Sequence, residues 1–199
     1  FKPNDFSEIP YTVYSDEEIY QQEQKHLFQG KAWHFLGLDI ELPNPGDYKT
    51  MPVGDTSVIV VRNKNGNLNA MVNRCAHRGN LVCVEDHGNL DCLTCVYHNW
   101  TYDLDGNLAT IAFEKGIQGQ GGMAEDFDKS CHALQRLRVE EYCGLVFGSF
   151  SEEVQSLPEY FGPEMCKNIQ RVLGRDMEIL GRFQHGLDGN WKLYMENVR

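Results

Sequence analysis

The sequence predicts an α+β fold in which small antiparallel β-sheets, carrying two loops that contain Cys and His, lie between helical and strand segments. A helix start occurs near the N-terminus, short strand-like runs joined by Asn-Gly and Asp-Gly turns fill the centre, and helical patterns return after residue 150. These observations divide the chain into a helical segment at 1–32, a β-rich domain at 33–153 and the start of a second, α+β domain at 154–199.

The first predicted element is a surface helix from Asp16 to Phe28. Ser15 followed three residues later by Glu18 matches the capping box, and Gly30 stands where a helix commonly ends. The helix has few apolar positions, so we expect it to pack against a larger body, the domain that begins at residue 154.

Strand patterns occupy most of the central region. One hairpin turn is predicted at Asn65-Gly66 between two apolar runs, and another at Asp105-Gly106. A long strand is expected within 137–150. The glycine-rich stretch 114–128 lacks the Gly-Lys-Ser/Thr ending of a phosphate-binding loop, so we interpret it as a surface excursion.

The region after residue 150 mixes helical and extended patterns. We expect a short helix through Ile169 and Leu173, followed by a strand within 176–189. A further helix is predicted to begin at Trp191 with Asn190 as its cap. It runs into the end of the sequence, and we expect the chain to be part of a longer protein.

Composition argues against several function classes. The formal net charge of −11 disfavours a nucleic-acid surface, which needs clustered Lys and Arg. No apolar run approaches the roughly 18 residues of a membrane span and the N-terminus lacks a signal-peptide pattern, so we expect a cytoplasmic protein that does not enter membranes. The seven cysteines suit metal ligands or core thiols better than a disulfide framework.

Two short stretches each pair a cysteine with a histidine. Cys75 and His77 are separated by one residue, and Cys95 and His98 by two. Four such donors suit either a tetrahedral zinc ion or a [2Fe-2S] cluster held by two Cys on one iron and two His on the other.

The zinc interpretation also has a competing donor pair, because Cys92 and Cys95 form a Cys-x2-Cys knuckle with Cys83 nearby. Five thiols are expected to lie in the core or on the surface without a metal: Cys83, Cys92, Cys131, Cys143 and Cys166. No role is assigned to the isolated histidines His26, His34, His87, His132 and His185. Packing around the sheet is expected for Trp33, Tyr97 and Tyr102.

The residues around the Cys and His pairs favour iron. "CAHRG" at 75–79 and "CVYHNWTYDLDG" at 95–106 resemble, in order and spacing, the two cluster loops of Rieske proteins, specifically the large (alpha) subunits of Rieske non-heme iron aromatic-ring hydroxylating oxygenases. "GNWKLYMEN" at 189–197 resembles the start of the catalytic domain in that family. The resemblance covers nearly the whole chain and the first half of such a subunit. It implies that 33–153 is the Rieske domain and 154–199 the beginning of the catalytic domain.

This resemblance implies a role for each of the four donors. Cys75 and Cys95 would bind the inner, buried iron of the [2Fe-2S] cluster, and His77 and His98 would bind the outer iron. An acidic residue just past Arg199 would bridge His98 to the mononuclear iron of a neighbouring subunit.

The family also implies residues that tune the cluster. Arg78 and Trp100 stand where it supplies hydrogen-bond donors near the cluster. The sequence departs from the family pattern at Asn80, where a basic residue often stands, and at Asn99, where glycine is commoner. In this interpretation the two departures shift the cluster potential and remove no ligand.

Catalysis in the resembling family takes place at a separate mononuclear Fe(II) held by two His and one carboxylate. Those ligands are not in this sequence. Asn197 falls where the family often has an Asn close to that iron, the alternative being an ordinary helix residue. The resemblance further implies electrons from NAD(P)H through reductase and ferredoxin partners, and a trimer of large subunits, often with a small beta subunit (α3β3).

Three functions therefore stay open. The favoured one is the terminal oxygenase component, which uses O2 to hydroxylate an aromatic carboxylate such as salicylate, anthranilate or terephthalate. That substrate class rests on the resemblance of residues 121–150 to the branch acting on such acids. The alternatives are a Rieske electron-transfer protein without oxygenase activity and a zinc-stabilised interaction domain.

Overall fold

The structure, a computed structural model, describes residues 9–197 and is built mainly of antiparallel strands. The strands are β1 His34–Leu38, β2 Asp47–Val53, β3 Thr56–Arg62, β4 Leu68–Val72, β5 His87–Asn89, β6 Leu93–Thr94, β7 Thr101–Tyr102, β8 Leu108–Thr110, β9 Arg136–Tyr142 and β10 Leu145–Ser149. Seven form one sheet in the order β1-β10-β9-β4-β3-β2-β5, and three form a second in the order β6-β7-β8. The predicted α+β class is confirmed.

The helices lie at the two ends of the described chain. They are α1 Thr12–Ser15, α2 Glu17–Glu23 with a π-helical continuation at Gln24–Phe28, α3 Leu157–Leu173 and α4 Trp191–Asn197. Two short 3-10 turns, Asp39–Glu41 and Lys129–His132, interrupt the β-rich region. None of the helices in residues 9–197 combines the length and the apolar character that crossing a lipid bilayer requires.

The predicted N-terminal helix is present, but its cap is different. Asp16, not Ser15, accepts the backbone N–H of Ile19 at 3.1 Å. Ser15 ends α1, and its hydroxyl instead donates to the carbonyl of Tyr11. The capping-box prediction was therefore wrong by one residue, because the chain is already helical at Ser15 and adopts the extended conformation of a cap only at Asp16.

Both hairpin predictions are confirmed. Gly66, at φ +85°, lies in the β3–β4 turn, and Gly106, at φ +81°, lies in the β7–β8 turn. The long strand expected within 137–150 is instead the hairpin β9–β10, since Cys143 and Gly144 both have positive φ and reverse the chain. The stretch 114–128 contains no helix or ladder strand and lies largely exposed, as expected of a surface excursion.

Both predicted C-terminal helices are present, although α3 begins earlier than expected, at Leu157, and is interrupted at Gly162. The strand predicted between them is absent from the described chain. Asn190 caps α4 by accepting the backbone N–H of Lys192 at 3.1 Å. Residues 176–189 form no strand, because no other strand in the described part of the chain pairs with them. Leu180 and Phe183 in this stretch are 92% and 90% exposed.

The core forms on both faces of the larger sheet. In β3, Val58 and Val60 pack into a cluster with β1, β9 and β10, while Ile59 and Val61 pack on the opposite face. This follows from the strand period of two in an unbroken apolar run. The Ile59 side contacts the smaller sheet, and the loops that carry the Cys and His pairs lie at that junction.

Candidate metal centre

The two loops that carry the Cys and His pairs fold in the same way. In each loop the cysteine N–H donates to the carbonyl five residues on, and the cysteine carbonyl accepts the N–H four residues on. The bonds are Cys75 to Asn80 at 2.8 Å and Gly79 to Cys75 at 2.9 Å, and Cys95 to Trp100 at 2.9 Å and Asn99 to Cys95 at 2.9 Å. Backbone hydrogen bonds within each loop thus fix the position of its cysteine.

Each turn requires one residue with a left-handed backbone. Gly79 has φ +75°, and Asn99 has φ +53° at the matching position. Asparagine is among the few residues other than glycine that adopt this conformation readily. The departure at Asn99 from the family's usual glycine therefore preserves the turn.

The loops bring the four predicted donors together, with the two thiols buried and the two imidazoles nearer the surface. Cys75 and Cys95 are 3% and 2% exposed and belong to one core cluster. The rings of His77 and His98 lie nearer the surface, with centroids 4.7 Å apart and planes 72° apart. Two thiols therefore lie beneath two imidazoles.

The smaller sheet supports the cysteine of the first loop. Tyr102, on β7, is fully buried, and its hydroxyl lies 3.3 Å from Cys75 Sγ while accepting the N–H of Ala76 at 3.0 Å. Burial raises the pKa of Tyr102, and its hydrogen bond with Cys75 raises it further, so the phenol keeps its proton as a donor. Sequence reasoning expected only packing from Tyr102.

A second polar contact reaches the other cysteine. The side-chain amide of Asn80 lies 3.9 Å from Cys95 Sγ and also donates to the carbonyl of Leu81 at 2.9 Å. The cysteine of each loop is therefore contacted by a polar group from the other part of the chain. Tyr102, just after the second loop, contacts Cys75, and Asn80, in the first loop, contacts Cys95. Hydrogen bonds to ligand sulfur stabilise the thiolate and tune a metal bound to it.

Aromatic rings enclose the imidazoles. The indole of Trp100 stacks on His77, and the ring of Tyr97 is tilted against His98 with centroids 3.9 Å apart. Arg78 is exposed and lies over Tyr97, with its Cζ 5.9 Å from the ring centroid. The contacts of Arg78 and Trp100 in the structure are thus with aromatic or imidazole rings, and their action as donors to a cluster stays a prediction.

A further histidine, for which the sequence predicts no role, lies beside Trp100. His132 packs against Trp100 and Phe127, with ring centroids 5.6 and 4.5 Å away. It is distant in sequence from both loops, and only the fold brings it here. Sequence reasoning therefore had no local pattern from which to find it.

The ionisation of His77 suits metal binding. Partial desolvation lowers the pKa of His77, and the neighbouring His98 and Arg78 lower it in the same direction. A lower pKa keeps the imidazole neutral at physiological pH, which is the form that binds metals.

The two cysteines of the competing Cys-x2-Cys pair, Cys92 and Cys95, do not lie together at the centre. Cys92 is exposed and its Sγ lies 3.8 Å from Thr94 Oγ1, whereas Cys95 is buried. The alternation of side chains along β6 places Cys92 on the face of Thr94, opposite Cys95. Cys83 is buried, and burial raises the pKa of its thiol to about 12.

The donor set fits a Rieske cluster. Such a cluster takes two thiolates on one iron and two imidazoles on the other, and the structure places two thiols beneath two imidazoles. Within residues 9–197, no three Cys, His, Asp or Glu side chains converge as ligands of a single ion.

Asn197 lies elsewhere in the described chain. It ends α4, is exposed, and borders a cleft between α4 and the N-terminal helix that Tyr20 and Phe28 also line. The structure therefore does not bring Asn197 together with the Cys and His pairs, and its predicted role near a mononuclear iron stays a prediction.

Comparisons with known proteins agree with this geometry. Residues 32–119 match the model of the Rieske [2Fe-2S] domain family. The chain is 47% identical to the terephthalate 1,2-dioxygenase terminal oxygenase component subunit alpha 2 of Comamonas sp, over 96% of this chain and 46% of the relative. It is also 47% identical to the anthranilate 1,2-dioxygenase large subunit of Burkholderia cepacia, over 100% of this chain and 47% of the relative.

A solved structure shows the same fold. The naphthalene 1,2-dioxygenase of Rhodococcus sp., bound to indole, superposes with a TM-score of 0.81 at 31% identity, covering 95% of this chain and 42% of that chain. The chain spans about half the length of the curated relatives it matches. Residues 32–119 therefore belong to the Rieske [2Fe-2S] domain family, and the chain as a whole is similar to about half of the terminal-oxygenase large subunits named above.

Proposed function

We propose that this chain is the cluster-bearing part of a terminal oxygenase that hydroxylates an aromatic carboxylate. The observation that carries the proposal is the convergence of two buried thiols and two surface imidazoles on matching loops. That arrangement has a buried side and an accessible side, as a group that relays electrons to a partner site requires.

The four donors are assigned to the two irons by their burial. Cys75 and Cys95 would hold the inner iron, and His77 and His98 the outer one. When bound, the cluster supplies one-electron transfer at a potential of roughly −150 to +300 mV.

The surrounding residues orient these donors. The hydroxyl of Tyr102 lies 3.3 Å from Cys75 Sγ and would donate to it once Cys75 is a thiolate, and Trp100 stacks on the ring of His77. Asn99 supplies the left-handed backbone that closes the second loop. Arg78 and the ring of Trp100 remain the candidates for further tuning of the cluster potential.

The domain assignment extends the proposal beyond the cluster. Residues 1–32 would form a helical segment on the catalytic domain, 33–153 the Rieske domain and 154–199 the first part of the catalytic domain. The nearly full exposure of Leu180 and Phe183 supports a further body of protein against 154–199. That body would supply the two His and one carboxylate for the mononuclear Fe(II), with Asn197 close to them.

Electrons would enter the cluster from partner proteins and leave it towards a neighbouring large subunit. NAD(P)H would be oxidised by a reductase, and electrons would reach the cluster directly or through a ferredoxin. His98 is partly exposed, which suits contact with a neighbouring large subunit in a trimer, with or without a beta subunit. Because both relatives named above act on acids that carry a ring carboxylate, an aromatic carboxylate is the proposed substrate.

A single-turnover experiment tests this function. The full-length protein is reduced chemically, then mixed with O2 and terephthalate, anthranilate or salicylate, and products are identified by mass. A hydroxylated product formed as the cluster is oxidised would support the proposal. Cluster oxidation without product from any of the acids, with only the iron of the cluster present, would instead indicate an electron-transfer protein without oxygenase activity.

A further inference from the structure

Helix α4 is held in place by the N-terminal segment. In the described chain, every hydrogen bond that links α4 or its cap to another element goes to Tyr14 or Glu23. The ring of Phe28 also meets that of Trp191 edge-on, with centroids 5.4 Å apart. The position of α4 therefore depends on residues 14–28.

Glu23 is the centre of this contact. Its carboxylate accepts Trp191 Nε1–H at 3.0 Å and two contacts from Lys192 Nζ at 2.6 and 2.8 Å. The side chains of Glu23 and Lys192 are only 12% and 16% exposed. A charge pair shielded to this degree holds its partners firmly, because removing one partner leaves the other charge without water or a counter-charge.

The same segment also contacts the β-rich domain. Gln24, directly after Glu23, accepts the backbone N–H of Asp55 at 2.9 Å, and Tyr20 donates its hydroxyl to Asp55 Oδ1 at 2.5 Å. Gly54 has φ +57°, and a Cβ at this position would lie 2.2 Å from Gln24 Oε1. The β2–β3 turn is thus fitted to the Gln24 side chain.

The helix changes from α-helical to π-helical geometry between Glu23, which contacts α4, and Gln24, which contacts the β2–β3 turn. α2 ends at Glu23, and the π-helical turn Gln24–Phe28 begins at the next residue. Turns of this kind are rare and concentrate at functional sites. Here the wider turn falls where one short segment must contact two separate bodies, α4 through Glu23 and the β2–β3 turn through Gln24.

We propose that Glu23 is a positioning residue for turnover. Together with Gln24 it fixes α4, and so Asn197 at its end, relative to the β-rich domain that carries the cluster loops. The inference rests on the proposed function, in which α4 opens the catalytic domain. It makes the N-terminal segment part of the machinery that sets the catalytic geometry.

The test uses the full-length oxygenase with Glu23→Gln and Trp191→Phe. Glu18→Gln is the matched control, since Glu18 is an exposed carboxylate on the same helix. Three readouts are compared with wild type: hydrogen exchange of residues 190–197, kcat and KM with an aromatic carboxylate, and the EPR spectrum and potential of the cluster. We expect Glu23→Gln to speed exchange in 190–197 and to lower kcat by about tenfold or more, with the cluster readouts unchanged.

Trp191→Phe removes one donor and keeps the ring, so a smaller effect in the same direction is expected, and none from Glu18→Gln. Wild-type kcat in Glu23→Gln, or a loss of kcat matched by a loss of cluster, would overturn the proposal. If wild type forms no product from any aromatic acid, the proposed function fails instead. Hydrogen exchange then decides the role of Glu23: unchanged exchange in Glu23→Gln overturns it and faster exchange supports it.

Discussion

The indole ring of Trp100 lies parallel to the imidazole of His77, with centroids 4.8 Å apart and only 9° between the planes. Trp100 is 4% exposed, whereas His77 is at the surface. A fixed, buried ring thus sets the orientation of an exposed donor. Phe127 and His132 pack behind the indole and hold it in turn.

Replacing Trp100 with Leu should release His77. We expect altered EPR g-values of the reduced cluster and faster loss of iron on warming, because the imidazole loses the stacked indole ring that fixes its orientation. Trp33→Leu is the control, since Trp33 is buried in a separate cluster with Val154 and Leu157. Both variants lose stability, by less than the roughly 3–5 kcal/mol of a Trp→Ala change, but an identical EPR change in both would contradict the role of Trp100.

Tyr102→Phe should lower the reduction potential of the cluster. The phenol oxygen lies 3.3 Å from Cys75 Sγ. With Cys75 bound to iron as a thiolate, the phenol is the donor of this bond, which favours the more negative, reduced form. The bond exists in both oxidation states, so its full worth of about 1.5 kcal/mol, or roughly 60 mV for one electron, is the upper bound of the shift. The potential is measured by spectroelectrochemistry, with Tyr48→Phe, another buried tyrosine of the same core, as the control. Equal potentials in wild type and Tyr102→Phe would refute this assignment.

The sequence predicts the parts of the centre that are local. Cysteine and histidine spacing predicts the four donor side chains that the structure brings together, and Asn65-Gly66 predicts a hairpin that is confirmed, because each pattern depends on residues close together in the chain. Tyr102 at Cys75, Asn80 at Cys95 and His132 behind Trp100 depend instead on how the sheet and the loops pack together.

Two predictions were wrong for related reasons. The strand expected within 176–189 has an extended pattern, but a strand also needs a neighbour, and none pairs with it in residues 9–197. Ser15 and Asp16 are both good caps, and only the backbone conformation decides between them.

The backbone of Asn99 offers a test of the second loop. Because its φ is +53°, Asn99→Gly should keep the stability and the cluster of wild type, whereas Asn99→Val should lose about 1–2 kcal/mol. Thermal unfolding followed by the visible absorbance of the cluster measures both. Val96→Ala, at an exposed position of the same loop, is the control. Equal melting temperatures for Asn99→Val and Val96→Ala would contradict the need for a left-handed residue.

The buried thiol of Cys83 predicts that the free energy of unfolding depends on pH. Burial raises the pKa of its thiol from 9.0 to about 12, so the folded state keeps a proton that the unfolded state releases. The stabilisation is complete below pH 9 and is lost as the pH rises towards 12. Chemical unfolding of wild type and Cys83→Ala across this range should show a steeper loss of stability in wild type. Parallel curves would show that Cys83 does not titrate in this way.

The four-donor cluster is the central claim, and EPR-detected nitrogen coupling tests it most directly. Protein grown with 15N-labelled histidine is reduced and its ENDOR spectrum recorded, for wild type, Cys92→Ser and His98→Cys, together with iron, zinc and acid-labile sulfide analysis. Two histidine nitrogens are predicted in wild type and in Cys92→Ser, and one in His98→Cys, with equal amounts of cluster iron and sulfide. Zinc without sulfide, or loss of the cluster in Cys92→Ser, would contradict the account.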